Sequence, residues 1–329
     1  MDMTADFLGF KLKNPLIAGA SSLTASLDSI KRLEDNGIAA VIMHSLFEEQ
    51  INREIHELDH FLYAHSDSHA EATDYFNTDT EFDNLEAEHY LSEVQKVKAS
   101  VGVPVIASLN GVSKGGWVKF AKKLEEAGAD AVELNISYIP TDIDISSAAV
   151  EEMYIETVRT VRESIGVPLN VKMSAYFSSP SYMAKRFADA GADGLTIFDH
   201  PVCVDIDLES LTLTQKANIT SSKELSETLR WCGILYGKLP LSICAGTGVH
   251  TAEDILKAMM SGADSVALAS ALIVHKEGYV AELLESMRQW MSEREYESIA
   301  QMKGSISLAH TDNPALYERS SYMRALSRF

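Results

Sequence analysis

The chain predicts an α/β fold: a (β/α)8 TIM barrel, one domain spanning residues 1–329, with a long excursion after its second strand. Three observations point there. Gly-Ala-Asp recurs at one place in a repeating unit: Ala127-Gly128-Ala129-Asp130 runs into Ala131-Val132-Glu133-Leu134-Asn135, Ala190-Gly191-Ala192-Asp193 into Gly194-Leu195-Thr196-Ile197-Phe198, and Ser261-Gly262-Ala263-Asp264 into Ser265-Val266-Ala267-Leu268-Ala269. Each glycine suits the left-handed position that ends a helix. The runs that follow are apolar, as strands buried on both faces are. Eight such runs occur, most of them separated by amphipathic stretches, and repeated helix-to-buried-strand units imply parallel strands joined by crossover helices.

In order, the strand candidates are Pro15 to Ala20, Ala39 to His44, Pro104 to Leu109, Ala131 to Ile136, Pro168 to Met173, Gly194 to Phe198, Leu241 to Ala245 and Ser265 to Ala269. The second follows Asn36-Gly37-Ile38-Ala39, a looser copy of the repeat. Helical periodicity marks Leu27 to Asn36, Lys119 to Ala127, Val150 to Ile165, Tyr182 to Ala190, Ser222 to Tyr236, Thr251 to Ser261 and Tyr279 to Trp290. Val101-Gly102-Val103-Pro104 and Ile165-Gly166-Val167-Pro168 share a helix exit, and proline at a first strand position removes no interior ladder bond. A doubly wound sheet is the alternative. It favours a Gly-rich first turn, and Gly19-Ala20-Ser21-Ser22 is not GxGxxG.

The 329 residues are 46% hydrophobic, enough for a sizeable core, and carry a formal charge of −20. So acidic a surface repels nucleic-acid phosphates and anionic lipid heads, so neither nucleic acid nor membrane is an expected partner. The cysteines, Cys203, Cys232 and Cys244, have no metal-ligand spacing, and so few thiols suit a reducing cytoplasm. Met1 to Leu8 shows no basic region followed by an apolar stretch, and no run approaches the ~20 apolar residues of a bilayer span. A cytoplasmic protein with no metal site is expected.

From Phe47 to Ala87 no apolar period is visible. In a barrel this 47–87 insertion follows strand two and lies like a lid over the C-terminal face. It holds His56, His60, His65 and His69, with His89 just beyond. The histidines raise the thought of a metal, but their spacing is not HExxH, and a solvated, partly helical excursion is the plainer reading.

Barrel chemistry sits where strands end. Strand one ends in Gly19-Ala20-Ser21, small residues that let a flat ligand approach the backbone. Strand two ends in His44-Ser45, strand three in Ser108-Leu109-Asn110, strand four in Asn135-Ile136-Ser137-Tyr138, and strand six in Asp199-His200. Ser45, Asn110 and Ser137 serve structure or function equally well; the Asn135 amide can donate and accept at a heterocycle edge. Lys172, ending strand five, is costly to bury unless it meets an anion. It fits stabilisation of a reduced cofactor, a Schiff base, or a plain salt bridge to Glu133. Gly246-Thr247-Gly248 after strand seven and Ala269-Ser270 after strand eight occupy the common barrel phosphate position, although an ordinary tight turn has the same composition.

At these residues the chain resembles the dihydroorotate dehydrogenase family over about residues 7 to 305. Asn14-Pro15-Leu16 through Ser21, Glu133-Leu134-Asn135-Ile136-Ser137, Val171-Lys172, Gly246-Thr247-Gly248-Val249, Gly262-Ala263-Asp264, Ala269-Ser270-Ala271-Leu272 and His275-Lys276-Glu277-Gly278 match in order. The resemblance implies FMN held by Gly19, Ala20, Ser21, His44, Ser45, Asn135, Lys172, Asp199, Thr247, Gly248, Ala269 and Ser270, with Tyr138, Lys172 and Ser137 as catalytic residues. It also implies hydride transfer at a CH–CH group of a small carbon acid, a homodimer, and the family's setting in pyrimidine biosynthesis.

Departures accompany the match. The family's catalytic cysteine or serine is Tyr138, its following Pro-Asn is Ile139-Pro140, its second-strand lysine is His44, and its strand-six asparagine is Asp199. The asparagine loop after strand two has no counterpart; Ser45-Leu46-Phe47-Glu48-Glu49-Gln50 stands there, as in a divergent FMN-barrel subgroup. The cofactor half of the pattern is kept and the orotate half is mostly lost, so dihydroorotate is not the expected substrate. A phenol titrating near ~10 is a poor base and a better acid, which suits a reductase; Cys203 is an alternative proton carrier. A flavin-binding barrel without turnover and a Schiff-base lyase using Lys172 are the competing functions.

Overall fold

The computed structural model describes residues 1–50, 85–111, 118–200, 203–216 and 219–318. Most of the 47–87 insertion, its four histidines included, lies outside the described residues. Eight parallel strands close a barrel in chain order. Barrel strands one to eight are Leu16–Ala18, Ala40–Phe47, Val105–Asn110, Ala131–Asn135, Leu169–Met173, Gly194–Ile197, Ser242–Ala245 and Ser265–Leu268. Strand eight pairs back onto strand one, Val266 opposite Leu16, so no strand order is reversed and the doubly wound alternative is excluded.

Each repeat glycine does what its position requires. Gly128, Gly191 and Gly262 have φ of +96°, +97° and +122°, turning the chain from helix into strand. Helix Ala252–Ser261 starts with a capping box, in which Thr251 accepts from the Asp254 N–H and the Asp254 carboxylate accepts from the Thr251 N–H. Alternation along the strands sends one set of side chains inward and the other out to the helices. The outward set, with Leu33, Val94, Leu124, Val158, Phe187, Ile255 and Met287 of the helices, forms the larger apolar cluster. Ile17, Ile42, Ile106, Ala131, Cys244 and Ala267 form a second cluster with Phe7, Leu8 and Leu12. Those last three come from an antiparallel hairpin, Ala5–Phe7 with Phe10–Leu12, which plugs the barrel floor. The Leu8 N–H donates to Ser242 Oγ at 3.0 Å.

Strand two differs from expectation. It runs to Phe47 rather than His44, and its pairing with strand three shifts: Ile42 faces Ile106, yet Ser45 faces Ser108. The extra residue is a bulge, and beyond it every side chain changes face. Helix Leu85–Lys98 and a second hairpin, Cys203–Asp207 with Thr212–Lys216, were also unanticipated. Among the described residues no helix is long and apolar enough to cross a membrane.

Candidate active site

The inward positions of strands three to six carry polar groups above the apolar floor. Glu133 is buried; Asn170 Nδ2 donates to its Oε2 at 3.0 Å and the Thr196 hydroxyl at 3.4 Å. Asn170 Nδ2 also donates to Thr196 Oγ1 at 2.8 Å. Burial pushes the Glu133 carboxyl above its usual range, opposed by the charge of Lys172 and the Asn170 hydrogen bond. Two residues on, the same alternation places Asn135 and Lys172 side by side at the C-terminal rim, where they pair in register.

Asp199, just beyond strand six, gathers this rim. Its backbone is fixed by an N–H bond to the Met173 carbonyl at 2.8 Å. Its Oδ1 lies 3.8 Å from Lys172 Nζ and accepts from Asn135 Nδ2 at 3.3 Å; its Oδ2 accepts from Ser137 Oγ at 3.2 Å. The ion pair of Lys172 is therefore with Asp199 rather than with Glu133, the partner weighed from sequence. Asn135 Oδ1 is buried and finds no partner among the described residues. Across the rim, a Cβ on Gly19 would stand 3.4 Å from Ala269 Cβ, so small residues from strands one and eight keep that wall open to the backbone. Ala20 is half-buried beside it, and the Ser21 N–H is engaged by Thr24 Oγ1 at 3.0 Å.

Two expected residues stand apart from this group. The bulge turns His44 outward, where its ring meets Tyr90 edge-on at 4.9 Å and its Nε2 lies 3.7 Å from Glu93. Ser45 takes the inward place, its Oγ 2.8 Å from Ser108 Oγ. Tyr138 follows inward-facing Asn135 and Ser137 by odd steps, and its ring packs against the outer apolar cluster. Its N–H donates to Tyr154 Oη at 3.3 Å, and burial pushes the Tyr154 phenol up to about 12. The Cys203 side chain lies outside the described residues.

The loops after strands seven and eight are linked through Thr220. Thr247 is pinned by its Oγ1 to the Phe198 carbonyl at 2.8 Å and by Thr228 Oγ1 to its own carbonyl at 3.0 Å. Gly248 has φ +82°, and a Cβ there would stand 2.3 Å from Leu225 N. The N–H groups of Thr247, Gly248 and Val249 find no acceptor among the described residues. Ser270 Oγ accepts from the Thr220 N–H at 3.2 Å, and Thr220 Oγ1 lies 3.1 Å from His250 Nε2. The next helix does not offer its end freely, because Asp254 Oδ2 already accepts from the His250 and Thr251 N–H groups. Sequence reading missed Thr220, His250 and Asp254; only the Thr251-to-Asp254 capping spacing was visible in advance.

A small-residue wall and a loop of unengaged N–H groups together suit a flat heterocycle carrying a phosphate. The family model described as Dihydroorotate dehydrogenase matches residues 66–291. The catalytic subunit of dihydroorotate dehydrogenase B (NAD(+)) from Thermoplasma acidophilum is 25% identical over 313 residues, covering 92% of this chain and 98% of its own length. The same subunit from Endomicrobium trichonymphae is 22% identical, over 93% of this chain and 97% of its own. That from Anoxybacillus flavithermus is 29% identical, over 57% and 62%.

Proposed function

The chain belongs to the dihydroorotate dehydrogenase family, and on that premise we propose that it is an FMN-dependent oxidoreductase acting on a CH–CH bond of a small carbon acid. Bound FMN supplies a hydride acceptor and donor. The chain's own residues do the rest. Gly19 and Ala20 would leave room for the ring, and Lys172 would set a positive charge at the rim. The Thr247-Gly248-Val249 turn and Ala269-Ser270 would hold the phosphate through backbone N–H groups. Ser45 would border the ring from strand two, since the bulge turns it inward and His44 outward. The observation that carries the reading is the turn of Thr247, Gly248 and Val249, whose N–H groups find no acceptor among the described residues.

Ser137, rather than Tyr138, is the residue to move a proton. Its hydroxyl already donates to Asp199 Oδ2, so as Ser137 Oγ takes a proton from the substrate carbon the hydroxyl passes its own proton to that carboxylate. Dihydroorotate remains an unfavoured substrate, because Pro140 has neither N–H nor side-chain donor and His44 faces away from the rim. The few thiols support a cytoplasmic setting, and the family resemblance supports a homodimer.

The test is to denature the purified protein and identify what it releases. Stoichiometric FMN is expected. A colourless protein that neither retains nor takes up FMN sinks this reading and favours the competing Lys172 lyase. The outward turn of Tyr138 favours one second reading, a flavin barrel without turnover; FMN that no CH–CH donor reduces would establish it.

A further inference from the structure

We propose that the substrate end of this site receives an uncharged ring presenting N–H donors to Asp199 and Asn135, and rejects a carboxylate there. This rests on the flavin-barrel reading above and adds the chemical class of its substrate.

The argument is one of hydrogen-bond polarity. Ionised Asp199 can only accept. It therefore draws the rim's donors onto itself: Asn135 Nδ2 at 3.3 Å, Ser137 Oγ at 3.2 Å, and the Lys172 ammonium at 3.8 Å. The orientation of the Asn135 amide follows, because turning its oxygen toward a carboxylate would set acceptor against acceptor. What remains for a ligand is Asn135 Oδ1, nine-tenths buried and unpartnered, with the spare lone pairs of Asp199. These are acceptors, and a ligand that satisfies them must donate. A carboxylate would bring a third acceptor group into the same space.

Charge points the same way. Among the described residues Lys172 is the cation at the rim, and its ion pair is already made. His44, which stands where the family has its second-strand lysine, is turned outward onto Glu93. Glu133 lies beneath, and any ionised fraction of it adds to the negative side. A group buried beside like charge with no free cation is bound poorly, whereas an unsatisfied buried acceptor strongly favours a ligand that donates to it.

Uracil and orotate are the probes, since they share a ring and differ only in the carboxylate. Isothermal titration of the purified, flavin-bearing protein is expected to show uracil binding tighter than orotate by about tenfold or more, equivalent to about 1.4 kcal/mol. Asp199→Asn frees the rim's donors and removes the charge, so that ratio should fall by about tenfold or more. Orotate binding as tightly as uracil to the wild-type protein overturns the proposal, as does binding of neither. An unchanged ratio in a folded Asp199→Asn protein overturns it too. If that variant does not fold, the wild-type ratio decides alone. Flavin content, measured on the same samples, reports separately on the underlying reading: a flavin-free protein that still prefers uracil loses the cofactor assignment and keeps this one.

Discussion

Gly248→Ala measures how tightly the turn after strand seven is built. At φ +82° an alanine pays a conformational cost of about 1–2 kcal/mol for the left-handed backbone. Its Cβ would also stand 2.3 Å from Leu225 N, 2.6 Å from Leu225 Cα and 2.8 Å from Glu224 C. All three are backbone atoms, so helix Leu225–Leu235 must move as a unit, and overpacking of this kind costs about 1–3 kcal/mol. The two together predict a loss of about 2–5 kcal/mol. Gly237→Ala is the control: its φ is +70°, but nothing lies within 4 Å of the added Cβ, so only the conformational part applies. Urea unfolding of both variants, stripped of flavin, separates the overlap from the dihedral. Flavin content before stripping is a second readout, because a displaced turn withdraws the N–H groups of Thr247, Gly248 and Val249. Equal losses in the two variants, or a Gly248→Ala protein as stable as wild type, would refute the packing argument.

Two further outcomes follow from the charges beneath the rim. Burial raises the Glu133 carboxyl, so its contribution to stability is fully present below the unfolded value and is lost as pH rises through the folded one. Glu133→Gln has no such loss, so the stability of wild type relative to this variant should fall as pH rises above the ordinary carboxylate range, measured by urea unfolding; a constant difference contradicts it. Lys172→Met takes away the rim's cation, so the bound flavin should become harder to reduce. An unchanged midpoint potential in a spectroelectrochemical titration counts against that placement.

The barrel was legible because its repeat is local. A helix-ending glycine followed by a doubly buried strand is written in eight consecutive residues, as at Gly128 to Asn135. The polar rim was legible for the same reason: Asn135, Ser137, Lys172 and Asp199 are read off strand ends. What escaped depends on facing. One extra residue between Ile42 and Ser45 exchanges the faces of His44 and Ser45, and nothing in Ile-Met-His-Ser announces a bulge. Tyr138 is different, since counting from Asn135 by twos already sends it outward; matching it to a motif position obscured that. The floor plug, Phe7, Leu8 and Leu12, comes from two strands of three residues and the turn between them, too short for a period to show. Asp254 shields a helix end that composition alone presented as an anion site.

The central claim is that this family barrel transfers hydride at a CH–CH bond, and anaerobic reduction of its bound flavin tests that most directly. Dihydrouracil and dihydroorotate are mixed separately with the oxidised, flavin-bearing protein while visible absorbance is followed. Bleaching by the uncharged ring, with dihydroorotate much slower, is the predicted result. A flavin that dithionite reduces but neither ring bleaches would contradict the account and leave a binding protein in its place.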